Sequence, residues 1–168
     1  MQLSSVSLLL LGVSLGLASP SELCEVKLER GDCPMFWFSF NGRCYKYVAA
    51  HMTWADAELQ CVSQKSNLAS IHSLEENNFI QTMIQSYHPM QSNTWIGLSD
   101  LHKEAAWMWS DGSPVDFELW GSGQPDNAGA LEDCVALNLE DEAKWNDSRC
   151  FNTFPFICAS HKLCVSNI

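Results

Sequence analysis

Two helical periods and a later series of short apolar segments divide this chain. From Thr53 the apolar positions Trp54, Ala57, Leu59 and Cys61 spread over a helical face, with Thr53 placed to cap the first turn. Ser73 stands three residues before Glu76, the spacing of a capping box, and Leu74, Phe79, Ile80, Met83 and Ile84 follow as an apolar stripe that Pro89 closes. That stripe is expected in the core. Ahead of both helices, the run CPMFWFSFNGRCYKY sets two aromatic-rich segments on either side of Asn41-Gly42. Both positions of that dipeptide tolerate positive φ, so it predicts a hairpin with Cys33 and Cys44 near each other across it.

After Asn93 the helical period stops. TWIGL, WMW, DCVALNL and FPFIC alternate with Gly, Asp, Ser and Pro, the pattern of short strands joined by long turns. The five tryptophans from Trp95 to Trp145 are expected in core and loop packing. Between Ser110 and Asp133 more than twenty residues show little regular pattern. A loop that long inside a compact domain is usually functional or disordered. No internal repeat, low-complexity tract or interdomain linker interrupts the chain.

The first residues change the compartment. Met1 to Ala18 carry no charge and hold an apolar run from Val6 to Leu17, followed by the small residues Ala18 and Ser19. Such a run is too short to span a bilayer and predicts a secretory signal peptide over 1–18, although its start lacks Lys or Arg. Residues 19–32 then form a polar arm containing Cys24, 33–164 a single domain, and 165–168 a tail. The expected location is extracellular, with no membrane insertion. Eight cysteines in a small secreted chain imply a disulfide framework, for which parity alone leaves about 105 pairings. Zinc is disfavoured, since no CxxC pair occurs and His51, His72, His88, His102 and His161 are scattered.

Charge narrows the partners. Nine basic residues against twenty acidic ones give a net charge of -11, which opposes nucleic acid, whose phosphates require a basic patch. The acids and amides concentrate in QPDNAGALEDCVALNLEDEAKWND, from Gln124 to Asp147. Calcium takes six to eight oxygen ligands at about 2.3–2.6 Å, and Gln124, Asp126, Glu132, Asn146 and Asp147 could supply them. An enzyme is the least favoured class. There is no GxSxG, HExxH or phosphate-binding glycine loop, and the isolated histidines offer no base paired with a nucleophile. Glu132-Asp133 could be read as catalytic carboxylates, but the ligand reading explains more of their neighbours.

Trp95-Ile96-Gly97-Leu98, Gln124-Pro125-Asp126, Glu132-Asp133-Cys134 and Trp145-Asn146-Asp147, in this order and with Cys150 and Cys158, resemble the C-type lectin domain. The likeness runs from Cys33 to about Cys158, and the short architecture is most similar to secreted fish lectins of the ladderlectin or lactose-binding type. The resemblance implies an α+β fold: two helices, small antiparallel sheets and a long calcium-binding loop region stapled by disulfides Cys33–Cys44, Cys61–Cys158 and Cys134–Cys150. Cys24 and Cys164 fall outside that scheme, and pairing within one chain or between chains stays open.

It also implies a principal calcium site at Gln124, Asp126, Glu132, Asn146 and Asp147, where the same residues hydrogen-bond the sugar. A second calcium site would draw on Asp100, Glu104, Asn127, Glu132 and Asp133, with Asn127 replacing an expected carboxylate. In the family Gln-Pro-Asp accompanies galactose-type ligands. Ala128 departs from the pattern, because galactose-selective relatives stack a Trp there; Trp120 is a substitute to weigh against a structural role. Asn146-Asp147-Ser148 is a glycosylation sequon, and a ligand role for Asn146 predicts that it is unmodified, which mass spectrometry of the secreted chain would test. The implied function is calcium-dependent binding of galactose-type glycans on cell or microbial surfaces in innate defence, by a homo-oligomer. The competing reading is a calcium-dependent type II antifreeze protein on the same fold.

Overall fold

In the computed structural model, residues 27–90 and 93–161 are described. The predicted signal peptide, Cys24 and Cys164 lie outside the described residues. Asn41 and Gly42 take φ of 43° and 79° and turn β1 (Phe38–Phe40) directly into β2 (Arg43–Met52), pairing Phe40 with Arg43. The expected hairpin is therefore present, and Cys33–Cys44 closes beside it with a Cα separation of 5.7 Å.

Helix α1 (Trp54–Val62) starts at Thr53, whose side chain accepts from the Asp56 N–H. Its buried residues are Trp54, Ala57 and Cys61. Leu59 is a correction to the expected face: it is 67% exposed, because five residues after Trp54 it has rotated roughly 140° away from the buried line. Helix α2 (Leu74–Tyr87) starts at Ser73, whose hydroxyl accepts from Glu76 N–H at 3.1 Å. Glu76 completes the cap one residue further back than expected, accepting from His72 N–H at 2.7 Å. The same carboxylate is buried and takes the Arg43 guanidinium at 2.8 Å and the Tyr45 hydroxyl. Phe79, Ile80, Met83 and Ile84 form the core stripe as expected, whereas Leu74, in the first turn, faces outward.

The remaining strands are β3 (Asn67–Leu68), β4 (Asn93–Ser99), β5 (Met108–Trp109), β6 (Cys134–Asn138), β7 (Lys144–Ser148) and β8 (Phe154–His161). They join one sheet of order β1-β2-β8-β4-β6-β7, with β3 beside β8 and β5 beside β4. All pairings are antiparallel except β4 with β8, which meet in parallel at Trp95 and Phe156. One core lies between α2 and the sheet, around Phe79, Ile80, Met83, Leu98 and Trp145. A second surrounds α1 and includes Trp54, Trp95, Phe156 and the cysteines. Cys61–Cys158 ties α1 to β8 and Cys134–Cys150 ties β6 to the turn after β7, with Cα separations of 5.4 and 5.1 Å. These are the pairings that the resemblance implies, on the α+β architecture it implies.

Candidate functional site

The irregular stretch after β5 is ordered by aromatic packing over β7. Phe117 and Trp120 meet the ring of Trp145 edge-on at 5.7 and 5.9 Å. The backbone follows the rings: Trp145 N–H donates to Leu119 O and Gly121 N–H donates to Trp145 O, both at 2.8 Å. Trp145 is itself anchored from below, since its indole N–H donates to Asn77 Oδ1 at 2.9 Å. The loop is thereby delivered to the end of β7, where Asn146 and Asp147 wait.

Gln124 N–H donates to Gly121 O, and the Gln124-Pro125 bond is cis. Asp147, fully buried on β7, then gathers the loop. One of its carboxylate oxygens accepts from Asp126 N–H at 3.1 Å and the other from Asn127 N–H at 2.7 Å. Asn127 is left-handed, with φ 42°, and its side-chain oxygen accepts from Glu132 N–H at 3.2 Å. Glu132 answers by accepting from Ala128 N–H at 3.1 Å. Asn127, a residue of the expected second cation site, also braces the loop through the hydrogen bond it accepts from Glu132.

This folding brings one carboxylate oxygen each of Asp126, Glu132 and Asp147 within 4.8 Å of one another. Two residues before Asp126 in the chain, Gln124 Oε1 is buried and has no hydrogen-bond partner among the described residues. The Asn146 amide N–H donates to Asp147 O at 2.5 Å, which leaves its own carbonyl oxygen as an acceptor. Clustered carboxylates repel, and an orphaned buried acceptor costs free energy unless something supplies positive charge or a donor. A hard divalent cation satisfies both needs, so the donor set fits calcium. Burial pushes the Glu132 carboxyl above its usual range; the Ala128 N–H opposes this, Asp147 and Asp126 reinforce it, and Arg149 opposes it. Arg149 carries no signal in the sequence beyond its place next to Cys150, yet its charge reaches this acidic cluster.

Asp100, Glu104 and Asp133, expected at a second cation, are not drawn together in this way: among the described residues only Asp126, Glu132 and Asp147 bring their ligand oxygens within 4.8 Å of one another. Asp100 is 3% exposed, its N–H donates to Asp133 O at 3.0 Å, and one of its oxygens accepts from Ala105 N–H at 2.7 Å while the other is buried without a partner among the described residues. Burial raises its carboxyl against the Ala105 hydrogen bond, with Glu104 and Asp133 adding repulsion.

A histidine that looked isolated in the sequence has partners as well. His72 Nδ1 lies 2.7 Å from Asp116 Oδ1, and its Nε2 lies 3.3 Å from Ser113 Oγ. This string is not a charged nucleophile. The Ser113 hydroxyl donates to Asp111 Oδ1 at 2.5 Å, so its proton is directed to a carboxylate instead of the imidazole, and the group pins the loop after β5.

Residues 50–160 match the Lectin C-type domain. The chain belongs to the C-type lectin family. Ladderlectin of Oncorhynchus mykiss is 40% identical over 141 residues, 84% of this chain and 74% of its own length. Lactose-binding lectin l-2 of Anguilla japonica is 41% identical over 160 residues, covering 93% and 88% of the two chains. Among solved structures, that of herring type II antifreeze protein superposes with a TM-score of 0.72 at 35% identity, over 78% of this chain and 100% of that one. Membership of a lectin family supports a binding protein over an enzyme. In this C-type lectin no helix among the described residues is long and apolar enough to cross a membrane.

Proposed function

We propose that the chain is a secreted, calcium-dependent lectin for galactose-type glycans that acts in innate recognition or agglutination of cells and microbes. The observation that carries the reading is the convergence of Asp126, Glu132 and Asp147, supported by the orphaned buried oxygen of Gln124 on the same loop. Calcium, when bound, would supply the positive charge these residues lack and open coordination positions for two adjacent sugar hydroxyls. Gln124, Asp126, Glu132, Asn146 and Asp147 are the residues that would hold it, with Asp100, Glu104, Asn127, Glu132 and Asp133 proposed for a second ion.

The chain's own groups then set the sugar. The Gln124 amide donates where a glutamate could only accept, and Asp126 accepts where an asparagine could donate. Hydrogen bonds to the ionised members of the set are shorter and stronger than neutral ones. The name of the eel relative, a lactose-binding lectin, agrees with a galactose-type ligand. Single-sugar contacts on an exposed loop are weak, and several sites on one assembly multiply them. A homo-oligomer is proposed on that ground, with Cys24 and Cys164 as the cysteines available to close it or to pair within one chain.

The test is a galactose column and a glycan array, each run in calcium and in EDTA. Retention with calcium and release by chelator is the expected result; retention unchanged by EDTA overturns the calcium site. The herring neighbour favours one second reading, an ice-binding surface on the same loop. Calcium-dependent inhibition of ice recrystallisation without any glycan binding would establish that reading instead.

A further inference from the structure

A concavity of about 280 Å³ lies in the turn after β5, apart from the carboxylate cluster, with Trp107, Trp109, Ser113, Pro114 and Val115 in its wall. Drug-sized sites run about 300–1,000 Å³, so this one has room for a single small ring. Its wall offers two kinds of chemistry. Trp107 and Val115 are half-buried and present apolar surface. Trp109 is 2% exposed, and its indole N–H is buried with no hydrogen-bond partner among the described residues. The indoles of Trp54, Trp95 and Trp145, by contrast, each donate to an oxygen at 2.9–3.0 Å. A buried donor without an acceptor costs folding free energy, which points to an acceptor brought by something the concavity takes up. Ser113 adds the complementary capacity: its hydroxyl proton goes to Asp111, which leaves oxygen lone pairs to accept.

The wall is also continuous with the proposed cation loop. The Trp107 ring packs on Trp120 at 4.9 Å. Trp120 leads into Gly121, where a Cβ would come within 3.6 Å of Gln124 Cγ. A ligand that bears an apolar face, acceptor and donor edges, and the size of one ring is a pyranose.

We propose that this concavity is a second saccharide subsite that binds one pyranose ring without calcium. The apolar C–H face of the ring lies on Trp107, a sugar oxygen accepts from the Trp109 indole, and a sugar hydroxyl donates to Ser113 Oγ. The proposal rests on the reading of the chain as carbohydrate-binding, and it is independent of the cation.

The experiment follows the indole N–H resonances of the full chain, labelled with ¹⁵N-tryptophan, in EDTA during titration with methyl β-galactoside and methyl α-mannoside. The Trp109 resonance is expected to shift and saturate in the millimolar range. Val115→Phe, which fills the concavity, is expected to abolish that shift while leaving calcium-dependent retention on a galactose column unchanged. Indole resonances that stay fixed with both sugars in the wild-type chain overturn the subsite, as does a shift that survives in Val115→Phe. The wild-type titration decides the question even if Val115→Phe does not fold. In the wild-type chain, an indole shift without any calcium-dependent retention on the galactose column would overturn the calcium site and leave the subsite standing.

Discussion

Asn127 N–H donates to Asp147 Oδ2 at 2.7 Å across twenty residues of chain, so a buried strand carboxylate holds a left-handed loop residue in place. Asp147 has two such duties, because its other oxygen takes Asp126 N–H at 3.1 Å. Asp147→Asn keeps the volume but leaves one oxygen for two N–H donors and removes a charge. The variant is expected to lose calcium-dependent retention. It should also be destabilised in EDTA by about 1–3 kcal/mol, the usual cost of one unsatisfied buried donor. Denaturant midpoints in EDTA check the second effect separately from the first; an unchanged midpoint would show that the two N–H contacts are not holding the loop.

The pH dependence follows from Glu132. Its carboxyl is raised, first by burial and then by Asp147 and Asp126, so the cation-free folded chain binds its proton more readily than the unfolded chain does. By linkage its ionisation lowers folded-state stability as pH rises from the unfolded value through the folded one. A bound cation reverses this by favouring the ionised form. The gain in melting temperature from calcium is therefore expected to be largest at neutral pH and to shrink on acidification, vanishing above the pH at which an ordinary exposed glutamate protonates. Asp111 runs the other way: burial raises it, but hydrogen bonds from Ser113 and Ser70 with the charge of Arg43 outweigh burial and hold it low. Its contribution is present above its unfolded value and lost as pH falls through the folded one. Calorimetry with calcium and with EDTA between neutral pH and about pH 4 separates the two, and a calcium gain that is flat across that range would contradict the role given to Glu132.

Much of this was legible where the determinants are local. Asn41-Gly42 needs only its own φ preferences, and Thr53 and Ser73 need only an N–H three residues on. Leu59 and Leu74 were misassigned because an apolar residue at a helical position does not say which side the sheet will occupy. The candidate ligands stood out first as a concentration of acids and amides and then through motif order, and the structure explains why the motifs belong together: Trp145, one residue before Asn146, carries the backbone that the loop from Leu119 to Gly121 pairs with. That pairing joins segments about 25 residues apart, which no local period announces. The Ser113–His72–Asp116 string was invisible for the same reason, since it spans 41 and 44 residues of sequence.

Gly97 shows how a motif residue can be structural. A Cβ there would lie 2.6 Å from Leu68 O and 2.9 Å from Ser110 Oγ, distances at which backbone must move. Gly97→Ala is expected to cost about 1–3 kcal/mol, in the range of overpacked cores, read as a lower denaturant midpoint with the three disulfides still formed. Full stability in that variant would mean that β3 and β4 can separate freely at this point.

On the proposed site, Ala128 is the position at which an aromatic ring is expected to raise sugar affinity. It is exposed, begins the short 3-10 turn Ala128–Ala130, and contributes to the loop through its backbone N–H to Glu132. A larger side chain can therefore be placed there without breaking that hydrogen bond. Ala128→Trp would add an aromatic face beside Gln124 and Asp126, and such a stack is worth about 0.5–1.5 kcal/mol, or roughly twofold to twelvefold in affinity. The gain is expected for galactosides, whose apolar C–H face can lie on the ring, and not for mannosides, as measured by calorimetric titration in calcium. Equal gains for both sugars would mean that the indole adds contact without selectivity. No gain for either would mean that the sugar does not pass over Ala128, and the approach inferred from Gln124-Pro125-Asp126 would have to be redrawn.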